Sequence, residues 1–167
     1  MSVADHKATS PASVSCFVLT VSDSRTLATE TSGRAIADLL SADGHTVVDR
    51  QAVKDEPEEV RRLVREEIGR GRAKVVICTG GTGITTRDST YEALVGLFEK
   101  RLDGFGELFR MLSFEDIGPA AMMSRATAGI VGRCAVFLLP GSEAAVRLAM
   151  TRLILPELGH VVRELNR

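Results

Sequence analysis

"KVVICTGGTGITTRDST", residues 74–90, runs from a β-branched apolar stretch into three glycines and then at once into a basic and an acidic residue. The apolar part is short and does not alternate with polar residues, the pattern of a strand buried on both faces. Gly80, Gly81 and Gly83 permit positive φ and leave backbone N–H groups uncovered ahead of the next helix. Such a stretch is either an ordinary strand-to-helix turn or a backbone bared for an anion, because unpaired donors at a helix start suit phosphate. A P-loop is excluded, since Ile84 stands where the lysine belongs, although Thr85 supplies the hydroxyl that follows it. A dinucleotide fingerprint is excluded as well. It follows the first strand of its unit, where this chain has the glycine-free "TVSDSRT", and "GTGITT" lacks the third glycine.

Strands and helices alternate outward from this stretch. "SCFVLTVSD" (15–23) reads as a buried strand, and "SGRAIADLLSADG" (32–44) as a helix stopped by Gly44. "HTVVDRQAVK" (45–54) is a less apolar strand, nearer an edge. "PEEVRRLVREEIGRG" (57–71) is the clearest helix, with Pro57 in the first turn and Val60, Leu63, Val64 and Ile68 in one stripe. A helix from about Thr90 carries Ala93, Leu94, Leu97 and Phe98. Residues 104–123 read as short helices broken at Gly118-Pro119, and 125–141 as a hairpin about Gly132-Arg133. A long helix runs from Ser142, with a kink or restart at Pro156. The fold class is therefore α/β: three layers, a mostly parallel central sheet with helices on both faces, and a small antiparallel hairpin. Three polar segments then fall at strand carboxyl ends, where such sheets collect ligands: "SDS" (22–24), "TGGTG" (79–83) and "PGSE" (140–143).

With 167 residues, 44% hydrophobic and 26% charged, the chain is expected to form one domain over 14–167, preceded by a loose tail over 1–13. A net charge of −1 and the absence of Trp offer no footprint for a nucleic-acid partner. No stretch has the length of a membrane span, and "MSVADHKATSPAS" lacks the apolar core of a signal peptide, so a cytoplasmic location is expected. Cys16, Cys78 and Cys134 sit inside apolar runs without C-x-x-C spacing and read as buried free thiols. His6, His45 and His160 are assigned no chemistry.

Ser89 with Glu92 three residues later forms a capping-box pattern. If Ser89 caps the helix, Asp88 is left beside the glycine loop, free for metal or proton chemistry. Asp55 precedes Pro57 and reads as a cap of the 57–70 helix. Alternatively, if its strand neighbours that of the glycine loop, it pairs with Asp88 to hold magnesium, which prefers oxygen ligands.

"TVSD" (20–23), the "KDE" segment (54–56), "TGGTGITTRD" (79–88), "GFGELFRMLSFEDIGPAAMMSRATAGIVG" (104–132) and "LPGS" (139–142) together give the chain a resemblance to the MoaB/MogA family of molybdenum-cofactor biosynthesis proteins, and to its MoaB branch most closely. The resemblance runs from about Ser15 to Leu158. It implies an α/β molybdopterin-binding fold assembled as a homotrimer or a homohexamer (a dimer of trimers). It also implies adenylyl transfer from ATP to the terminal phosphate of molybdopterin, with Mg2+, giving adenylyl-molybdopterin and pyrophosphate. By the same matching, Asp55 and Asp88 are the catalytic, metal-holding acids. Thr79, Gly80, Gly81, Thr82, Gly83, Gly141 and Ser142 match the nucleotide and phosphate loop, and Ser22, Asp23, Ser124 and Arg125 the pterin pocket. One departure is "RDSTYEA" where the family often has "RDVTPEA". The runner-up is a non-catalytic molybdopterin-binding or scaffold paralogue. Much of 104–123, rich in Phe105, Leu108, Phe109, Met111 and Leu112, is expected in a subunit contact.

Overall fold

The structure is a computed structural model describing Ser2–Arg167. Six strands form one sheet: β1 (Ser15–Val21), β2 (Thr46–Val53), β3 (Val75–Thr79), β4 (Lys100–Arg101), β5 (Thr127–Val131) and β6 (Cys134–Leu139). Their order is β2-β1-β3-β6-β5-β4. β2, β1, β3 and β6 pair in parallel, while β5 runs antiparallel to both its neighbours. The mostly parallel sheet with one antiparallel hairpin is the expected architecture. Gly132, at φ 60°, takes the first position of the two-residue loop between Val131 and Cys134, where a hairpin turn of this kind requires glycine.

The central strands are apolar throughout because each face meets helices. Cys16 and Val18, Val75 and Ile77, and Ala135, Phe137 and Leu139 point to one face. They meet α2 (Ser32–Ala42), α5 (Asp103–Ile117), α6 (Glu143–Ala149) and α7 (Leu155–Leu165) through Ile36, Leu40, Phe109, Val146 and Leu158. Phe17, Leu19, Val76, Cys78, Val136 and Leu138 point the other way, onto Val60 and Val64 of α3 (Pro57–Arg70) and Leu94 of α4 (Thr90–Val95). This is the period-2 pleat read twice, once for each core.

The less apolar β2 is indeed an edge strand. α3 starts with Pro57 and ends at Gly71, φ 69°. Residues 103–117 form one helix rather than several, followed by a 3-10 segment, Gly118–Met123, with Gly118 at φ 62° marking the break. The kink expected at Pro156 is a π turn over Met150–Ile154. Pro156 has no N–H to return to the carbonyl of Arg152, and the widened turn absorbs the loss. Within the expected loose tail, the described residues instead form helix α1 (Val3–Ala8), closed by a reciprocal Ser2–Asp5 capping box. His6 and Lys7 of α1 reach Glu164 and Glu157 on α7. Those contacts are polar, so no apolar stripe announces the helix. Met1 lies outside the described residues.

Candidate active site

α2 covers one face of the sheet and α3 the other, so the chain reverses direction between β1 and β3, and their carboxyl ends splay apart into a crevice. A cleft of about 240 Å³ opens there, lined by Thr20–Ser22 at the end of β1, Thr79–Gly83 at the end of β3 and in the loop after it, Gly141 after β6, and Asp88. Two of the three polar segments singled out in the sequence thus contribute directly, and the third through Gly141. The cleft also takes in Arg25, Glu30, Thr31 and Ser32, from the loop after β1 and the start of α2. None of these four was marked as a site residue in the sequence.

The glycine loop is held from its carbonyl side. Arg125 donates from Nε to Thr82 O (3.0 Å) and from Nη2 to Gly83 O (2.6 Å), while its guanidinium lies 4.7 Å from the Tyr91 ring centre. Gly80 donates its N–H to Leu139 O (3.0 Å) and packs so tightly that a Cβ would lie 2.1 Å from Val21 O. Among the described residues, the amides of Gly81 and Thr82 donate to no protein acceptor. The hydroxyl of Thr20, a buried residue lining the same cleft, is likewise unpartnered. Glu67 Oε1, away from the cleft, is the other buried side-chain atom without a partner among the described residues, so it is the two free loop amides facing the cleft that mark a place for an anion.

The two acids occupy different positions. Asp88 lines the cleft, with its Oδ2 accepting from the Thr85 hydroxyl (2.5 Å) and amide (3.0 Å). Hydrogen bonding, chiefly from the Thr85 hydroxyl, holds this carboxyl below its ordinary range despite the opposing effect of burial. Asp55, 5% exposed, does not line the cleft. It lies behind Gly81, where a Cβ would be 2.6 Å from Asp55 Oδ2 and 2.1 Å from Thr90 Oγ1. β1 separates β2 from β3, so the strands bearing the two acids are not neighbours.

Asp55 does not cap α3 either. Its Oδ1 accepts from the Ser89 hydroxyl (2.8 Å) and the Thr90 hydroxyl (3.0 Å), and its Oδ2 from the Ser89 amide (3.2 Å). The start of α4 is therefore neutralised by a carboxylate from another element, which suits the positive end of a helix. The expected Ser89–Glu92 capping box does not form. Ser89 spends its hydroxyl on Asp55, and Glu92 pairs with Arg125.

The proposed pterin residues divide between two clefts. Ser22 lines the first, its hydroxyl accepting the Arg25 amide (3.1 Å). Asp23 lies beside it, bidentate with Arg87 (2.6 and 3.0 Å) and accepting the Asp55 amide (3.1 Å). The Arg87 bonds, with that amide second, bring the Asp23 carboxyl down to about 2. Arg87 also reaches Glu56 (2.7 Å). Ser124 and Arg125 line a second cleft of about 380 Å³ with Tyr91, Arg101 and Arg110. Ser142 faces neither; it caps α6, accepting the Ala145 amide (3.2 Å). Glu30 is buried, accepting from Gly33 N–H (2.6 Å) and paired with Arg50.

Residues 17–160 match the model of a family described as a probable molybdopterin binding domain. The molybdenum cofactor biosynthesis protein B of Halalkalibacterium halodurans is 50% identical over 99% of this chain and 98% of its own length. A crystal structure of a molybdenum cofactor biosynthesis protein B superposes with a TM-score of 0.91 at 49% identity, covering 95% of this chain and 99% of that one. The tungsten cofactor synthesizing protein MoaB from Pyrococcus furiosus gives 0.85 at 38% identity, covering 94% and 99%. With its sheet, its switch-point cleft and these likenesses together, the chain belongs to the molybdopterin-binding family of molybdenum-cofactor biosynthesis proteins.

Proposed function

We propose that the chain is a molybdopterin adenylyltransferase, moving AMP from ATP to the terminal phosphate of molybdopterin and releasing pyrophosphate. The observation that carries this reading is the pair of unpartnered amides, Gly81 and Thr82, on a loop whose carbonyls are clamped by Arg125 and whose cleft is edged by Asp88. One phosphate attacking another gathers negative charge, so catalysis is chiefly alignment and charge neutralisation. Loop amides held rigid from behind need no reorganisation to receive phosphate oxygens.

Arg25 is the only cation among the described lining residues, so amides and one guanidinium must meet several phosphate charges. Magnesium fits this deficit, since it binds through one or two carboxylates together with substrate phosphates. Asp88, ionised and at the cleft edge, is the residue that would hold it, directly or through water. The ion would neutralise phosphate charge and help pyrophosphate leave. In this reading Asp55 acts from behind the loop, fixing Ser89 and Thr90 so that Asp88 and the glycines keep their places.

The second reading, a molybdopterin carrier or scaffold without transfer activity, is favoured by one observation: Asp55 is fully engaged and does not line the cleft. Incubation of the purified chain with molybdopterin, ATP and Mg2+ separates the two. The enzyme yields adenylyl-molybdopterin and pyrophosphate; a carrier retains molybdopterin and leaves ATP intact.

Assembly as a homotrimer or homohexamer belongs to the same proposal. Leu108, Met111, Phe114 and Ile117 recur every third residue along α5, and Met122 and Met123 continue the apolar face, all exposed in the single chain. The reaction is placed in the cytoplasm, which suits three free, buried thiols, with Cys16 and Cys134 each pushed up to about 12, chiefly by burial. Among the described residues no helix is long and apolar enough to cross a membrane.

A further inference from the structure

We infer that His6, His160 and Glu164 form a binding site for a divalent transition-metal ion of the zinc class, which fastens the N-terminal helix to the C-terminal one. One donor atom from each of these side chains lies within 4.8 Å of the other two. His6 Nδ1 is 3.1 Å from Glu164 Oε1, and His160 Nε2 is 4.0 Å from the same oxygen. Around a tetrahedral ion with bonds of about 2.0–2.1 Å, neighbouring donor atoms stand about 3.3 Å apart, so the His6–Glu164 pair already has this spacing and the His160 ring must move inward to complete the set.

The surroundings orient these donors. His160 Nδ1 is 2.9 Å from Glu157 Oε2, which engages that nitrogen and leaves Nε2 directed toward Glu164. A carboxylate on the outer nitrogen of a histidine is the usual support of a metal-bound imidazole. Lys7 pairs with the same Glu157. Arg163 donates to Glu164 Oε1 (2.6 Å) and Arg167 to Oε2 (3.1 Å), which anchors the acid while adding competing positive charge. The two imidazole rings meet edge to face at 5.7 Å, and their side chains are only 19% and 20% exposed.

Two nitrogens and one carboxylate select zinc, copper or nickel over magnesium, which prefers oxygen alone. The site shares no residue with either cleft at the strand ends. Its effect falls on the N-terminal segment, already close to α7 at a second point: a Cβ at Gly159 would lie 2.7 Å from Pro11 O.

The test titrates the tag-free full chain with zinc alone, in excess Mg2+, by competition with a chromophoric chelator. The wild type should bind one equivalent. His6→Ala and His160→Ala should each weaken binding at least about tenfold, and Asp88→Asn should not change it. Zinc should also slow proteolytic nicking of residues 2–13 in the wild type but not in His6→Ala. His6 lies on a peripheral helix, so an unchanged far-ultraviolet spectrum separates loss of the ligand from loss of the fold. No binding by the wild type, undiminished binding by His6→Ala, or loss confined to Asp88→Asn overturns the assignment.

Discussion

The carboxylate of Asp55 accepts the Ser89 hydroxyl at 2.8 Å, joining the end of β2 to the start of α4 directly beneath Gly81. The bond crosses 34 residues of chain, and the acid that makes it is 5% exposed. A buried carboxylate with three donors is as much a structural post as a chemical group. Asp55→Asn should therefore cost about 1.5–3 kcal/mol in urea unfolding without any metal or nucleotide present, the scale for hydrogen bonds to a buried charge. It should also weaken ATP binding. If Asp55 serves only to hold metal, the metal-free variant will be as stable as the wild type.

Asp88 behaves differently because its partners belong to its own loop. Asp88→Asn should lower adenylyl transfer by two or more powers of ten, about 3 kcal/mol in the barrier, while the unfolding midpoint moves little. Single-turnover kinetics at saturating ATP and molybdopterin measure this. A fully active variant removes Asp88 from the mechanism.

Arg125 fixes the loop by a fork that lysine cannot reproduce, reaching Thr82 O and Gly83 O from two different nitrogens. Arg125→Lys keeps the charge and loses the geometry. ATP affinity, measured by calorimetry, should fall at least about tenfold, the equivalent of about 1.4 kcal/mol. Unchanged affinity would mean that the loop holds its shape without the clamp.

The unbroken apolar runs made β1, β3 and β6 legible, and with them the position of the cleft at the strand carboxyl ends, because burial on two faces leaves a strong local signature. β4 was not legible, since Lys100 and Arg101 are exposed and pair with β5 through the backbone alone. The Ser89–Glu92 pattern misled for a related reason. A capping box is a local preference worth about 1 kcal/mol, and a buried carboxylate arriving from β2 offers Ser89 a stronger acceptor. Thr20 and Glu30 escaped notice because one sits inside an apolar run and the other in a polar loop. Their burial against Gly33 and Arg50 is a tertiary fact.

The Asp23–Arg87 pair gives a prediction about acid. The Asp23 carboxyl is lowered from 3.8 to about 2, so its contribution to stability is complete above the unfolded value and is lost as pH falls through the folded one. The difference in unfolding free energy between wild type and Asp23→Asn should be constant from neutral pH down to about 4, then shrink toward pH 2. Urea melts at stepped pH follow it. Because the pair is solvent-exposed, the difference should also shrink in high salt. A gap that widens on acidification reverses the assignment.

Self-association provides the remaining prediction, through α5. Phe109 and Leu112 on its inner side are buried in the core, whereas Met111 and Phe114, 56% and 59% exposed, face outward beside Leu108 and Ile117. An apolar face of that extent on a lone chain is costly in water and is removed by a second copy, with symmetry closing the ring. Light scattering of the wild type should give a trimer or hexamer mass. Met111→Asp combined with Phe114→Glu buries a charge in any such contact and should shift the mass to monomer. Because both side chains point away from the core, the monomer should keep its far-ultraviolet spectrum. A wild-type monomer at every concentration would leave the apolar face without this partner, and an unshifted variant would move the contact to another surface.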